Sequence, residues 1–430
     1  MILADDATRS AWAEALRVSP VLCHLGEAQL QRLIDEGDFH EFETGVEFIR
    51  AGTHTFSVYF VVGGSYDVER ADETIRVEAP ALLGEIAALT GTARTATVRA
   101  VGRVSTIVIE RDRFLAAIRT SAAAGQALTE LVADRLCAPD SIRQVGRFIV
   151  ECIIGEGGSG RVLRARHPLL DIPVALKMLS HARALLPEGP HEFIREASLL
   201  FHLDHPGIVR VLDAFEAHRT FFIVMPWIEG ETLREHIDRH ADVSRGQILC
   251  IADEVLDALT ALHAAGLVHR DIKPSNLLVR TSGKIVLIDL GIACERGATG
   301  SARRLVGSPT YCSPEQILGR PVDGRSDVYS LGCMLYELVF GKPPFAGNDV
   351  DSVINGHLRG TPDFGRVPQV EMGEPFLRWL RECLSRTRMQ RPDALNARAR
   401  LHRVMDDATS PEVKAGAFPS RLERPAVSSA

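Results

Sequence analysis

No apolar run in this sequence is long enough to cross a bilayer, so no membrane-spanning helix is expected. The opening residues, Met1-Ile2-Leu3-Ala4-Asp5-Asp6, lack the basic segment of a signal peptide, which makes a cytoplasmic location the expectation. Positive charge is not in excess either. The formal net charge is −7, and that balance points to neither nucleic acid nor an anionic membrane as a partner. The eight cysteines (Cys23, Cys137, Cys152, Cys250, Cys294, Cys312, Cys333 and Cys383) never form a C-x-x-C pair. Free thiols in a reducing compartment fit that scatter, and structural zinc does not. Internal repeats are missing as well. The rest is ordinary for a globular chain: 430 residues, 46% hydrophobic and 24% charged. That length exceeds one usual core, so two domains and a tail are the starting expectation.

The first 137 residues and the stretch from about 147 differ in texture. The opening part has short alternating runs, Ser57-Val58-Tyr59-Phe60-Val61-Val62 and Ser105-Thr106-Ile107-Val108-Ile109, broken by Gly63-Gly64 and Gly102. Short strands with glycine turns predict a β-barrel or roll. Helical spacing flanks it at 27–34, 111–118 and 125–136, and in the last of these Leu128, Leu131, Val132 and Leu136 share a face. Pro139 should stop that helix, and the short joint over 138–146 should keep the two domains close. From about Ser410 the chain is polar with Pro411, Pro419 and Pro425, and residues 406–430 read as a disordered tail.

The most informative stretch is His269-Arg270-Asp271-Ile272-Lys273-Pro274-Ser275-Asn276. It sets a carboxylate, an ammonium and an amide at offsets of two and five residues. That trio suits phosphoryl transfer: a base for an incoming hydroxyl, a cation for the moving phosphate and an oxygen ligand for Mg²⁺. Upstream, Gly155-Glu156-Gly157-Gly158-Ser159-Gly160-Arg161-Val162 follows a strand-like run. Alone it could close a hairpin or bind a dinucleotide, but a Rossmann reading needs a helix next. A second apolar stretch comes instead, ending Val174-Ala175-Leu176-Lys177. Downstream lie Asp289-Leu290-Gly291, the run Gly307-Ser308-Pro309-Thr310-Tyr311-Cys312-Ser313-Pro314-Glu315, Asp327-Val328-Tyr329-Ser330-Leu331-Gly332 and Gln390-Arg391-Pro392.

Taken in order, these motifs over about 147–405 resemble a protein kinase of the serine/threonine type. The resemblance implies a bilobal kinase fold, with ATP and Mg²⁺ as cofactors and proteins bearing serine or threonine as substrates. It assigns the catalytic roles to Asp271, Lys273 and Asn276, and metal binding to Asn276 and Asp289. ATP would be held by Ile154, Gly155, Glu156, Gly157, Gly158, Ser159, Gly160, Arg161, Val162, Ala175 and Lys177. Glu196, rather than its rival Glu192, would pair with Lys177. Met225 would be the gatekeeper, and Pro226 and Ile228 would meet adenine through the backbone. Pro226 lacks an N–H, but only its carbonyl is needed there. Leu290 stands where the family usually has phenylalanine, and Ser308 and Ser313 replace a threonine and an alanine. Ser308 keeps a hydroxyl able to reach Asp271 and Lys273, Asp327 would brace the catalytic loop backbone, and Arg391 would pair with Glu315. Thr299 and Ser301, beside Arg303 and Arg304, are the expected activation-segment phosphorylation sites, with Arg270 as their partner.

The stretch Leu83-Gly84-Glu85-Ile86-Ala87-Ala88-Leu89-Thr90-Gly91-Thr92-Ala93-Arg94-Thr95-Ala96-Thr97-Val98 is the second signal. Gly84 would let a ligand approach the backbone, amides at Ile86 and Ala87 would open a short helix toward a phosphate, and Arg94 would add a charge-assisted contact. The segment resembles the phosphate-binding cassette of cyclic-nucleotide-binding domains, and the likeness extends over about 16–137. It implies that Glu85 accepts the ribose 2′-hydroxyl and Arg94 meets the cyclic phosphate, with Thr95 leaning the choice slightly toward cyclic GMP over cyclic AMP. Glu85 as a mere helix cap and Arg94 as a surface ion-pair residue are the plainer alternatives.

The composite expectation is a multidomain α+β chain. A β-roll with flanking helices at 16–137, resembling cyclic-nucleotide-binding domains, is followed by a linker at 138–146 and a kinase domain at 147–405. The layout resembles cyclic-nucleotide-dependent protein kinases with a single sensor. Two rivals stand beside it: an active kinase with a ligand-free docking or dimerisation module in front, and a catalytically dead scaffold. Intact Lys177, Asp271, Asn276 and Asp289 weigh against the second. Oligomeric state is not readable.

Overall fold

The structure, a computed structural model, describes residues 6–69, 73–138, 143–157, 160–239, 243–289, 294–295, 308–366 and 368–407. Packing divides the chain into two compact units, 1–197 with 211–227, and 198–210 with 228–430. The division does not fall at the expected linker. It places the front domain and the first part of the kinase motifs in one unit.

The first unit opens with α1 (Asp6–Leu16) and α2 (Glu27–Glu36). Strands β1 (Asp38–Phe42), β2 (Glu47–Ile49), β3 (Val58–Glu69), β4 (Thr74–Glu78), β5 (Ala81–Leu83) and, after α3 (Glu85–Thr90), β6 (Thr97–Ile109) build an antiparallel roll. The two glycine positions read as strand breaks are not breaks. β3 runs through Gly63-Gly64 and β6 through Gly102, with shifts of register between Val61 and Ser65. An extra residue on one strand is absorbed as a bulge, so the ladder bends without ending. Trp12, Ala13 and Leu16 of α1 join the core, so the packed domain starts before residue 16.

Two helices close the roll, α4 (Arg111–Arg119) and α5 (Ala122–Cys137). Ser121 caps α5 by accepting the Ala124 N–H at 3.2 Å, and the helix ends just ahead of Pro139. A second antiparallel sheet follows: β7 (Gln144–Val145), β8 (Phe148–Gly157), β9 (Gly160–His167) and β10 (Ile172–Leu179), then α6 (His181–Ala184), α7 (Gly189–Phe201), β11 (Asp213–Ala217) and β12 (Thr220–Pro226). Its order is β11-β12-β10-β9-β8-β7. Alternation along β10 sends Val174, Leu176 and Met178 to one face and Ala175 and Lys177 to the other, and all five are buried. The first face shares one continuous core with Leu128, Val132, Ala133 and Leu136 of α5. The front domain and this second sheet are therefore packed together, not merely tethered.

The second unit is mainly helical: β13 (Gly230–Thr232), α8 (Leu233–Arg239), α9 (Arg245–Ala264), β14 (Leu267–Val268), β15 (Leu277–Arg280), β16 (Ile285–Leu287), β17 (Cys294–Glu295), α10 (Pro314–Ile317), α11 (Arg325–Phe340), α12 (Val350–Arg359), α13 (Glu374–Cys383) and α14 (Ala394–Asp407). In α9, Ile248, Ala252, Val255, Leu259 and Leu262 repeat at helical spacing and are all buried. Ser244 and Gln247 form a reciprocal capping box at its start. Strands β15 and β16 pair antiparallel, Leu277 opposite Leu287, and the loop before β15 carries the catalytic motif. α14 continues to Asp407, two residues into the expected tail, and 408–430 lie outside the described residues.

Candidate phosphoryl-transfer and cyclic-nucleotide sites

In the second unit the catalytic motif forms a hydrogen-bonded cluster. Lys273 Nζ lies 2.6 Å from Asp271 Oδ2 and donates to Ser308 Oγ at 2.8 Å. Asn276 Nδ2 donates to the Asp271 carbonyl at 2.8 Å and to Asp271 Oδ2 at 3.0 Å. With its nitrogen committed, the amide of Asn276 offers its oxygen to a hard cation. Ser308 meets Asp271 through its backbone N–H, at 3.0 Å, and its hydroxyl serves Lys273. Asp271 Oδ1 is occupied by this amide, just ahead of the short turn Pro309–Tyr311.

The loop is braced from below. Asp327, fully buried, accepts the N–H groups of His269 at 2.9 Å and Arg270 at 2.7 Å, and Nε2 of His263 lies 2.8 Å from it. Burial raises the pKa of this carboxyl, but the hydrogen bond and charge of His263, with His269 and the Arg270 amide, outweigh it and hold the group below its ordinary range. Arg270 sits at φ 69°, in the left-handed region that non-glycine residues avoid. Its N–H is taken by Asp327 and its carbonyl by Gln316 Nε2 at 2.7 Å, so both ends of the strained unit are fixed. Arg391 forms a bidentate pair with Glu315, at 2.6 and 2.8 Å, and its guanidinium lies 4.9 Å from the Tyr329 ring centroid. Asp289 follows β16 and is half-buried.

In the first unit, Lys177 lies opposite Ile223 and Val162 in the β10 ladders, and Ala175 lies opposite Met225. Met225 is buried near the end of β12, and Pro226 closes that strand. Gly155 and Glu156 pair with Val162 and Arg161 across the β8–β9 hairpin. Gly160, at φ 148°, lets β9 run against β10: a Cβ there would sit 1.8 Å from the Met178 carbonyl oxygen. Gly158, Ser159, Leu290, Gly291, Thr299 and Ser301 lie outside the described residues, as does the side chain of Glu196 on α7. Ile228 begins the second unit.

The cassette occupies the turn from β5 into α3. Gly84 has φ 81°, and a Cβ on it would meet Arg94 Nη1 at 2.1 Å, so only glycine allows the arginine to lie there. Arg94 is buried and donates to Thr55 Oγ1 at 3.0 Å, the Gly84 carbonyl at 2.9 Å and the Ser57 carbonyl at 2.6 Å. Three of its five N–H donors are used by these bonds, which leaves donors for an anion. Glu85 is also buried. Desolvation pushes its carboxyl up, and its own backbone amide, Arg135 and Arg94 offset that only in part. Ile86 and Ala87 form the first turn of α3, and Thr95 is exposed beside Arg94. A buried cation next to a buried carboxyl, under a glycine turn, fits a small ligand bearing one phosphate charge and a hydroxyl donor.

Comparison with known proteins finds a family for each of these two sites. The family model for the protein kinase domain matches residues 148–401, and that for the cyclic nucleotide-binding domain matches residues 39–121. Similar curated proteins include serine/threonine-protein kinase pkn3 of Myxococcus xanthus, 34% identical over 277 residues that cover 60% of this chain and 51% of that protein. Serine/threonine-protein kinase PkaA of Streptomyces coelicolor is 35% identical over 272 residues, 59% of this chain and 49% of that one. Serine/threonine-protein kinase PrkC of Bacillus subtilis is 37% identical over 231 residues, 52% and 36% respectively. The chain spans about half or less of the length of these relatives.

Proposed function

Because the chain belongs to the protein kinase domain family and carries a cyclic nucleotide-binding domain in front, we propose that it transfers the γ-phosphoryl group of ATP to serine and threonine hydroxyls of proteins under control of a cyclic nucleotide. The observation that carries the first part is the cluster of Asp271, Lys273, Asn276 and Ser308. Asp271 accepts the proton of the incoming hydroxyl, and Lys273 stands within 2.6 Å of it to offset charge on the moving phosphate. Asn276 and Asp289 would hold Mg²⁺, which neutralises phosphate oxygens when bound. Lys177 positions the α- and β-phosphates, with Glu196 as its partner. Asp271→Asn and Lys177→Met should each nearly abolish phosphorylation of a generic basic protein while the far-ultraviolet spectrum stays native. Wild-type turnover in Asp271→Asn would overturn this assignment.

The cyclic-nucleotide half of the proposal rests on Arg94 and Glu85. Arg94→Ala should weaken binding of a labelled cyclic nucleotide by roughly 1.5–3 kcal/mol, on the order of tenfold to more than a hundredfold. Thr95 favours cyclic GMP through the guanine 2-amino group by about one hydrogen bond, roughly 0.5–1.5 kcal/mol. Competition between cyclic GMP and cyclic AMP on wild type and Thr95→Ala checks this, and an unchanged affinity ratio would remove Thr95 from the role. A second reading, a docking module without ligand, draws on the three protein acceptors that Arg94 already serves. No binding of either labelled nucleotide at high protein concentration would favour it.

A further inference from the structure

The glycine-rich loop has a partner in the front domain. Arg161, which follows Gly160 at the root of that loop, is buried, and its side chain is only 8% exposed. Its guanidinium does not point toward open solvent. Nη2 lies 3.2 Å from Oε1 of Glu130 on α5, and Nη1 meets Glu156 across the hairpin. Nε is buried with no hydrogen-bond partner among the described residues. A buried cation with an incomplete hydrogen-bond set depends heavily on the carboxylates that face it. One of the two carboxylates comes from the loop itself, and the other comes from a different domain.

The helix that supplies Glu130 is seated closely. A Cβ on Gly125 would come within 2.5 Å of the Ala182 Cα, so α5 and α6 touch backbone to backbone. Thr129, one turn on, donates to the Gly125 carbonyl at 2.9 Å and accepts the His181 N–H at 2.8 Å. Ser180 Oγ donates to Gln126 Oε1 at 3.0 Å. Residues 125, 126, 129 and 130 therefore form one face directed at the second sheet. Ala88 and Leu89 of the cassette helix belong to the same continuous core as Leu128 and Val132 of α5. The helix thus reaches the cassette on one side and the ATP loop on the other.

We propose that Glu130 is a positioning residue for phosphoryl transfer, holding the glycine-rich loop through Arg161. This deepens the kinase reading and rests on it. In the full-length chain, Glu130→Gln should raise the KM for ATP roughly three- to tenfold, as expected for loss of one partly buried ion pair. The KM for the protein substrate should stay at the wild-type value, and Glu130→Asp should restore part of the loss. In an Arg161→Gln background the same Glu130 substitution should add nothing further. Hydrogen exchange supplies a readout independent of turnover: the peptide carrying Arg161 should exchange faster in Glu130→Gln, with the rest of the chain unchanged. Equal exchange and equal KM in wild type and Glu130→Gln, or full additivity with Arg161→Gln, would overturn the proposal. A wild-type chain that phosphorylates nothing would count against the kinase reading, and the exchange measurement would still decide the role of Glu130.

Discussion

Asp327 and Arg391 do different work although each is a fully buried charge. Asp327 takes two successive backbone amides of the catalytic loop, one of them on the strained Arg270. In Asp327→Asn the amide loses the charge that strengthens both bonds, and the loop relaxes toward unstrained backbone. Each charge-assisted bond is worth about 1.5–3 kcal/mol, so kcat should fall on the order of ten- to a hundredfold, with less change in KM. Steady-state kinetics on the variant check this, and an unchanged kcat would remove Asp327 from the catalytic apparatus. Arg391 acts on stability instead. Arg391→Ala leaves Glu315 buried without its bidentate partner, which should cost about 3–5 kcal/mol and lower the urea midpoint of the chain. Glu315 is held below its ordinary pKa although burial opposes this, because Arg391 and Ser326 favour the charged form.

At the scale of elements, α5 shows what sequence could and could not supply. Its apolar spacing was readable, and so was its end near Pro139. An amphipathic stripe says that a face is buried but not against what, and Leu128, Val132 and Leu136 could have closed the roll alone. The pairing of Glu130 with Arg161 joins residues far apart in the chain, and no local rule brings them together. The catalytic loop was easier to read, because Asp271, Lys273 and Asn276 are close in sequence and meet within one turn of backbone. Both family resemblances rested on such short, fixed offsets, and the family comparisons bear them out. Missed altogether was His181, which lies at the seam with Nδ1 3.1 Å from Thr129 Oγ1 and Nε2 3.0 Å from the His218 carbonyl. Full burial lowers its pKa from 6.5 to about 4, and burial lowers that of His218 as well. The folded pKa lies below the unfolded one, so the stabilisation is complete above pH 6.5 and is lost as pH falls toward 4. His181 contributes a slope of up to about 1.4 kcal/mol per pH unit in that window. His181→Leu should flatten the acid limb of a melting-temperature profile, and an unchanged limb would show that the seam does not titrate.

For the whole molecule, the shared core means that the front domain is part of the packing of the second sheet. Val150, Leu163, Val174, Leu176 and Met178 are buried in the same cluster as α5. Residues on the opposite face of β10, Ala175 and Lys177, are the ones assigned to ATP. A chain truncated to start at residue 143 would keep every kinase motif and lose α5. Burying a large apolar side chain is worth about 1.5–3 kcal/mol, and even half of that over five residues rivals the about 5–15 kcal/mol by which a domain is stable. The fragment should therefore aggregate or bind a hydrophobic dye, and its ATP-dependent activity should be far below that of the full chain. Size exclusion, dye fluorescence and a kinase assay on the two proteins, side by side, check the expectation. A monomeric fragment with full activity would mean that α5 merely rests on the sheet. Loss of folding would mean that the front domain is a permanent wall of the second sheet. Under the proposed function, a cyclic nucleotide would then act by shifting how that wall sits, not by releasing a separate inhibitor, because a ligand can change activity only through unequal affinity for two arrangements of the same packed body.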